Sequence, residues 1–268
     1  MKKCLLFALS LLCLVSCAGE QGSQYYPKPK KAFRIMTYNV GSLSKFMENS
    51  TDMVAAMINE IDADLVGLNE LDSCNTRHSV NQVAELAKAV GGWNWSFGRA
   101  MPYRGGAYGN GVIVPAKVTI IDSYTLALPA FGGPEPRSVA VIETPDYVYG
   151  SCHLQHKSDS CRVEQAKVVN EWFSTKYAGY SKPVFFGGDM NAHPDSEPLK
   201  VLGEVWEVLS SMENSIPVKE PRVCIDYVFH LKGSAPVQVL GSRTMSEFDD
   251  GDATIASDHL PVYVDVKF

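Results

Sequence analysis

The sequence has no excess of basic residues: its 268 residues include 24 Lys and Arg against 30 Asp and Glu, a net charge of −6. A protein without a positive field is poorly suited to hold a polyanion by electrostatic attraction alone. The charge balance therefore argues against a nucleic-acid scaffold, but it leaves open an enzyme that cleaves nucleic acid. The composition, 46% hydrophobic, excludes a disordered, collagen-like or disulfide-packed chain. A chain of this length can bury about 70–75% of its unfolded surface and form one α/β domain.

Several catalytic and cofactor-binding motifs are also absent. There is no Gly-x-Ser-x-Gly sequence, which disfavours a serine hydrolase. There is no P-loop and no Gly-x-Gly-x-x-Gly after a strand, so nucleotide-driven and Rossmann-type functions lack support. No Cys-x-x-Cys or paired Cys/His spacing occurs, which argues against a structural zinc site. Four cysteines, Cys74, Cys152, Cys161 and Cys224, follow the N-terminal segment, and the sequence leaves open whether they form disulfides or stay free.

The N-terminus carries the features of a targeting signal. Lys2 and Lys3 precede an apolar stretch over residues 4–15, which is shorter than the ~20 residues that span a bilayer. The stretch ends in Leu-Val-Ser-Cys17-Ala18, which resembles the bacterial lipoprotein signal, where cleavage precedes a cysteine that is then lipidated. The resemblance implies a signal peptide over residues 1–16, lipidation at Cys17 and a tether over residues 17–31. The protein would then be membrane-anchored in the bacterial cell envelope, on the periplasmic or surface face. The alternative is a secretory signal cut near Ala18.

The rest of the chain alternates between strand and helix patterns. Periodicity predicts helices over residues 51–60, 80–90, 164–177 and 197–209. Apolar runs predict strands over residues 33–40, 64–68, 111–114, 118–126, 138–142, 147–153, 183–187, 223–229, 237–240 and 260–266. Strands that both alternate with helices and follow one another indicate one layered α/β domain.

Polar residues lie at or near the ends of six of these strands. They are Asn39, Glu70, His153, Asp189 with Asn191, Asp226, and Asp258 with His259. Isolated buried charges are costly, so we expect these groups to share one site and neutralise one another or hold a metal. Carboxylates and amides without cysteine ligands suit Mg²⁺, with Mn²⁺ or Ca²⁺ as alternatives. Histidines beside acids suit proton transfer and stabilisation of a charged oxygen. Without a covalent nucleophile, this chemistry points to attack of water on a phosphate ester.

At these residues the chain resembles the endonuclease/exonuclease/phosphatase superfamily, which includes DNase I. The motifs that carry the resemblance are Met36–Val40, Gly67–Glu70, Tyr108–Gly111, Cys152–Leu154, Gly188–Asn191, Ile225–Phe229 and Ser257–Val262. They occur in the family's order and place the domain over residues 32–268. The resemblance implies a DNase I-like four-layer α/β sandwich, in which two packed mixed β-sheets are flanked by helices and the site lies at their shared edge.

The resemblance also implies a role for each residue. Glu70 would be the principal metal ligand, assisted by Asn39 and Asp258. The catalytic residues would be His153, Asp189, Asn191, Asp226 and His259. Among these, Asp189 would orient or deprotonate the attacking water, Asn191 would hold the phosphate, and His259, oriented by Asp226, would contact the phosphoryl oxygen. His153 matches the histidine of the DNase I and sphingomyelinase branches and would stabilise the transition state or assist the leaving group.

Three residues are candidates for substrate binding. Asn110 lies in the Tyr-Gly-Asn-Gly motif, Arg104 in a glycine-rich stretch that could edge the cleft, and Arg162 at the start of the helical segment that runs to Tyr177. The two arginines could equally be surface residues that contact only solvent. Five aromatic residues could stack a base or contact lipid, although core packing is the more common role: Trp93, Trp95, Phe97, Tyr103 and Tyr108. The inositol 5-phosphatase branch is disfavoured, because His193 stands where that branch carries arginine.

These features predict a monomeric, Mg²⁺-dependent hydrolase of phosphoester bonds. A phosphodiesterase that acts on nucleic acid or a phospholipid head group is the first expectation. A phosphomonoesterase for a small sugar or inositol phosphate is the alternative within the same class. A catalytically inactive binding lipoprotein is the alternative from another class, and the complete set of site residues argues against it.

Overall fold

A computed structural model describes residues 23–268, and the chain forms two six-stranded mixed sheets. The first sheet has the order β11-β12-β1-β2-β4-β3, and the second has the order β5-β6-β7-β8-β10-β9. The first contains β1 (Phe33–Asn39), β2 (Leu65–Ser73), β3 (Asn94–Tyr103), β4 (Gly106–Val114), β11 (Gln238–Thr244) and β12 (Val262–Lys267). The second contains β5 (Asp122–Leu128), β6 (Arg137–Glu143), β7 (Val148–His153), β8 (Val184–Asp189), β9 (Trp206–Val208) and β10 (Asp226–Leu231).

Helices cover the outer face of each sheet. They are α1 (Thr51–Glu60), α2 (Gln82–Gly91), α3 (Asp159–Tyr177), α4 (Glu197–Val205) and the short α5 (Ala253–Ala256). One apolar cluster joins α1 and α2 to the first sheet, a second joins α3 and α4 to the second sheet, and a third lies between the sheets. The predicted four-layer α/β sandwich is therefore confirmed. No helix among residues 23–268 is long and apolar enough to cross a membrane.

Each sheet has one parallel strand pair at its centre. Strands β1 and β2 run parallel with Asn39 opposite Asn69, and β7 and β8 run parallel with His153 opposite Asp189. Parallel neighbours end at the same edge of a sheet. The two pairs therefore deliver polar side chains to one place, as the positions of these residues in the sequence predicted.

Several predicted element bounds were wrong. Strand β3 was missed because its sequence, NWSFGRAMPY, is half exposed and lacks a continuous apolar run. Helix α3 begins earlier than residue 164, because Ser158 Oγ accepts a hydrogen bond from the amide of Cys161 and caps the helix. The helix predicted over residues 197–209 ends at Val205, where the chain becomes β9 and pairs with β10.

The signal peptide, Cys17 and the first part of the predicted tether lie outside the described residues. The rest of that tether packs against the domain. The Ser23 amide donates to Glu60 O at 2.9 Å, and the Tyr26 hydroxyl accepts from the amides of Ser246 and Glu247 at 2.8 and 3.0 Å. The packed structure therefore begins before the predicted domain boundary at residue 32. The four cysteines of the described residues are free.

Candidate active site

The polar strand ends meet around a single carboxylate oxygen, Asp189 Oδ2. Asn39 Nδ2 lies 3.0 Å from it, His153 Nε2 lies 3.4 Å away and His259 Nε2 lies 3.6 Å away. The amide of Asn191 holds the other oxygen, Asp189 Oδ1, at 2.8 Å. Asp189 and the two histidines are at most 4% exposed. The expected convergence of Asn39, His153, Asp189, Asn191 and His259 therefore occurs in the folded chain.

His259 is held by a second carboxylate. Its Nδ1 lies 2.9 Å from Asp226 Oδ2, and that oxygen also accepts a hydrogen bond from Ser215 Oγ. Burial alone would lower the pKa of His259, but Asp226 and then Asp189 outweigh burial and raise the pKa to about 10. His259 is thus a cation at neutral pH, and its Nε2–H faces the Asp189 carboxylate.

His153 contacts the same carboxylate but has the opposite electrostatics. Burial, reinforced by the Arg137 charge, lowers the pKa of His153 well below its usual value. Its Nδ1 is buried and has no partner in the described part of the chain. A neutral His153 can donate a hydrogen bond through Nε2. The ion pair of the site is then formed by Asp189 and His259. Burial also raises the pKa of Asp189, while His259 opposes the shift.

Glu70 enters the site from an irregularity in β2. The pairing of β2 with β4 shifts register between Leu68 and Leu71, and Glu70 has a φ of 60°. Such a left-handed conformation costs about 1–3 kcal/mol for a residue other than glycine and occurs often at functional sites. Asn39 Nδ2 donates to Glu70 Oε1 at 3.3 Å. The bulge therefore turns the Glu70 carboxylate to the side where Asn39 and Asp189 lie.

Gly188 permits the close approach of the two strands that carry His153 and Asp189. Its φ is 137°, and a Cβ at this position would lie 1.8 Å from the carbonyl oxygen of Cys152 on the neighbouring strand. No larger residue fits without displacement of β7 or β8. The glycine in the Gly-Asp-x-Asn motif thus fixes where Asp189 lies.

The donor set fits a divalent cation. Asp189 and Asp226 place carboxylate oxygens within 4.8 Å of each other and of His259, and Asn39 connects this group to Glu70. A protonated His259 has no lone pair for a metal, so the oxygen groups are the available ligands. Asp226 Oδ1 is buried without a hydrogen-bond partner among residues 23–268. Three carboxylates with one cationic histidine carry excess negative charge, which is costly in a buried site unless a cation balances it.

Asp258 has a different partner from the one expected. Its Oδ2 pairs with Lys45 Nζ at 2.8 Å, and its side chain is 25% exposed. It also contributes to the raised pKa of His259. Lys45 already balances the charge of Asp258. The metal-ligand role of Asp258 stays a prediction.

Two of the three expected substrate-binding residues have structural partners instead. Asn110 Oδ1 accepts from Asn69 Nδ2 at 3.1 Å, and Asn110 Nδ2 donates to the carbonyl oxygen of Ser138 at 2.7 Å. Its amide therefore connects the two sheets. The Arg162 guanidinium donates to Gln155 O at 2.6 Å and to Asp159, so it braces the loop after β7. The role of both residues in substrate binding stays a prediction.

Arg104, the third candidate, lies in the turn between β3 and β4. Its Cζ is 5.4 Å from the centroid of the Tyr103 ring, and its side chain is exposed. Its predicted role in substrate binding stays a prediction.

Sequence reasoning missed two buried residues that support the site. Asn69 Nδ2 donates to Cys152 O at 2.8 Å, and Asn69 Oδ1 accepts from the amide of Asp189 at 3.0 Å. It joins the two sheets directly beneath the catalytic carboxylate, and its position inside an apolar strand was the available signal. Arg137 is 4% exposed, and its Nε is buried without a partner in the described region. Arg137 stands just before an apolar strand, where a charged residue is common, so its position in the sequence did not indicate a role in the site.

Comparison with known proteins agrees with this geometry. The sequence model of the Endonuclease/Exonuclease/phosphatase family matches residues 36–259. No curated protein matches the sequence. The fold resembles an endonuclease/exonuclease/phosphatase from Bacteroides vulgatus, with a TM-score of 0.72 and 17% identity over 89% of this chain and 100% of that one.

Two further solved structures share the fold. The mannosyl-6-phosphatase Bt3783 of Bacteroides thetaiotaomicron aligns with a TM-score of 0.70 and 19% identity, over 88% of this chain and 100% of that one. D. rerio TDP2 complexed with a single-strand DNA product aligns with a TM-score of 0.66 and 18% identity, over 89% and 100%. The family match covers most of the chain and spans every strand end that forms the site. The chain therefore belongs to the endonuclease/exonuclease/phosphatase family and is a phosphoric ester hydrolase.

Proposed function

We propose that the protein is a Mg²⁺-dependent hydrolase in which water attacks the phosphorus of a phosphoester. The observation that carries this proposal is the convergence on Asp189 Oδ2, which has an amide donor, a neutral histidine and a cationic histidine within 3.6 Å. One buried carboxylate with such neighbours can take a proton from water while charge on the phosphate is stabilised beside it.

Glu70 and Asn39 are the proposed ligands of the ion. Carboxylate and amide oxygens suit Mg²⁺, which binds few protein groups and keeps several water ligands. When bound, the ion would supply Lewis-acid stabilisation of negative charge on the phosphoryl group. The bulge at Glu70 and the position of Asn39 at the end of β1 hold this ligand pair before the ion arrives.

Asp189 is the proposed general base. The Asn191 amide holds one of its oxygens, and Oδ2 remains directed to the histidines. Burial raises the pKa of Asp189, which improves its ability to accept a proton from water. The side-chain Nδ2 of Asn191 donates one hydrogen to Leu154 O at 3.1 Å, which leaves its second N–H to donate to a phosphate oxygen.

His259 is the proposed donor to the phosphoryl oxygen. Asp226 fixes its Nδ1 and so keeps Nε2 directed into the site, where the positive charge can stabilise developing negative charge. His153, neutral and buried, would donate a hydrogen bond through Nε2 toward the leaving-group side. These roles distribute proton transfer and charge stabilisation among groups already within hydrogen-bond or ion-pair distance of one another.

The test is hydrolysis of bis-p-nitrophenyl phosphate by the purified protein with and without Mg²⁺. Activity should require the ion and disappear with EDTA, then return when Mg²⁺ is added in excess. Asp189→Ala should abolish the reaction, and Asp195→Ala, which removes an exposed carboxylate from the same loop, should not. Turnover that survives both EDTA and Asp189→Ala would refute the assigned site.

A phosphodiester is the first candidate substrate. The family name includes nucleases, and the D. rerio TDP2 structure contains a single-strand DNA product. A phosphomonoester is the second candidate, favoured by a small pocket of about 160 Å³ beside Glu70. The similarity to a mannosyl-6-phosphatase supports it as well. Comparing kcat/KM for bis-p-nitrophenyl and p-nitrophenyl phosphate separates the two.

We also propose that Cys17 carries a lipid that anchors the enzyme in the bacterial cell envelope. The apolar segment that ends at Cys17 supports this proposal. In cells, the wild-type protein should fractionate with membranes, and Cys17→Ser should move it to the soluble fraction. Equal membrane association of the two forms would contradict lipidation.

A further inference from the structure

A small pocket opens next to the proposed metal ligand Glu70. Its volume is about 160 Å³, and its lining includes Glu70, Arg77, Met101, Tyr103, Tyr108 and Glu135. Glu70 thus belongs both to the catalytic centre and to the wall of this pocket. A phosphate held at Glu70 would place its ester substituent near this space. The pocket's side chains have no part in the proposed hydrolysis, so they need another explanation.

Arg77 is held rigidly in this pocket. Its Nε and Nη2 donate to the two oxygens of Asp72 at 2.6 and 2.9 Å, and Nη2 also donates to Ser42 Oγ at 2.8 Å. The Asp72 side chain is fully buried. The Arg77 Nη1 donates to no group in residues 23–268. A paired guanidinium with one nitrogen left for a ligand is a preorganised hydrogen-bond donor.

The aromatic wall is fixed by its neighbours. The ring of Tyr103 lies 5.0 Å from Arg77 Cζ and 5.9 Å from the ring of Tyr108, measured between centroids for the ring pair. The loop that carries Arg77 is bonded to the β3–β4 hairpin, where the Thr76 amide donates to Arg104 O at 3.0 Å and Asn75 Nδ2 donates to Ala107 O at 3.3 Å. The pocket is therefore preformed, and little ordering is needed when a ligand enters.

The charges in the pocket select against a second anion. Arg77 is already balanced by Asp72, whereas Glu70 and Glu135 add negative charge. Glu135 is held from behind by Arg137 Nη2 at 3.2 Å and is 33% exposed. The walls thus combine a cationic donor, carboxylate acceptors and aromatic faces. Hydroxyl groups both donate and accept, so a neutral ring that bears several hydroxyls satisfies both kinds of wall group.

We propose that this pocket binds a sugar ring that carries the scissile phosphate. The inference rests on the proposed phosphoester hydrolysis at Glu70 and names the group to which that phosphate is attached. Arg77 donates to ring hydroxyls, Glu135 accepts from them, and Tyr103 and Tyr108 pack against the carbon face of the ring. A pocket of about 160 Å³ suits a single ring better than a lipid chain or a stack of bases.

The test compares two phosphate esters of the same shape. Glucose 6-phosphate and cyclohexylmethyl phosphate both carry the phosphate on a methylene attached to a six-membered ring, but only the first has ring hydroxyls. If the enzyme accepts diesters alone, the p-nitrophenyl diesters of the two compounds are used instead. With Mg²⁺ present, kcat/KM for the sugar ester should exceed that for the cyclohexyl ester at least tenfold, since hydrogen bonds to charged groups are lost with the hydroxyls.

Variants of the pocket should reduce this preference. Arg77→Gln and Glu135→Gln should each lower the ratio of the two kcat/KM values by about tenfold or more, mainly through KM. Arg99→Gln and Glu85→Gln, which change exposed residues outside the pocket, should leave the ratio within about twofold. Because Glu135 lies at the rim, its variant keeps the test valid if loss of the Arg77–Asp72 pair impairs folding.

The possible failures are distinguishable. No hydrolysis of any ester with Mg²⁺ would refute the proposed function itself. Hydrolysis with no preference for the sugar ester would overturn the sugar pocket and leave the function standing. Pocket variants that slow both esters equally would also overturn the sugar pocket, because the side chains would then contribute nothing to selectivity.

Discussion

The catalytic centre and the Arg77 pocket share Glu70 but are built differently. The centre is formed by strand ends from both sheets, and Asp189, Asp226, His153 and His259 are at most 4% exposed. The pocket is lined mainly by the loops that carry Arg77 and Glu135 and by the β3–β4 hairpin, and the Arg77 side chain is 33% exposed. A centre fixed by sheet geometry cannot shift without disturbing the core. A pocket on loops can change its side chains while the sheets stay intact. In the proposals made above, chemistry therefore belongs to the sheets and selectivity to the loops.

Asp189→Asn should have the largest effect and should lower kcat by the same factor for every substrate. The amide keeps the size of the side chain but cannot accept a proton from water, so kcat should fall by roughly 10³-fold or more. Steady-state kinetics on the sugar and cyclohexyl esters measures this loss. A loss confined to one ester would mean that Asp189 belongs to recognition rather than to the chemical step.

His259→Gln should rank next. It removes the positive charge that Asp226 and Asp189 hold at neutral pH, and kcat should fall by about 10²–10³-fold. His193→Gln, which changes an exposed histidine near the same motif, serves as the matched control. If the two variants differ by less than a few-fold, His259 has no place in the mechanism.

Asn69→Ala tests the bracing beneath the centre. It leaves the buried Asp189 amide and Asn110 Oδ1 without their partner, and the free energy of unfolding should drop by about 1–3 kcal/mol. Chemical denaturation measures the change. Thr76→Ala, at a loop residue whose backbone amide donates to Arg104 O, keeps that bond and should cost much less. Equal losses would show that the sheets are not joined through Asn69.

Tyr103→Ala should have the smallest effect and should appear only in selectivity. The variant removes one aromatic face of the pocket while the backbone bonds that fix the hairpin remain. The preference for the sugar ester should fall by about three- to tenfold. The ratio of kcat/KM values for the two esters, not the rate on either one, is the quantity to measure. An unchanged ratio would show that Tyr103 does not contribute to binding of the sugar ring.

Much of the catalytic centre could be predicted from the sequence. Apolar strands that end in Asn, Glu, His or Asp predicted a shared site, because such groups are costly to bury singly. The strand ends of β1, β7 and β8 confirm that logic. Side-chain direction was not readable. Asn110 and Arg162 looked like substrate ligands, yet their amide and guanidinium groups are occupied by Asn69, Ser138, Gln155 and Asp159.

The sequence by itself predicted most of the strands and helices, the layered α/β class and most of the residues proposed to perform the chemistry. These follow from hydrophobic periodicity and from polar interruptions, which are local properties of the chain. The tertiary structure alone decided that Asn69 supports Asp189, 120 residues further along, and that Arg77 shares a pocket with Tyr103 and Glu135. Such contacts depend on the packing of distant segments, and no local pattern encodes which side chains will face one another across two sheets.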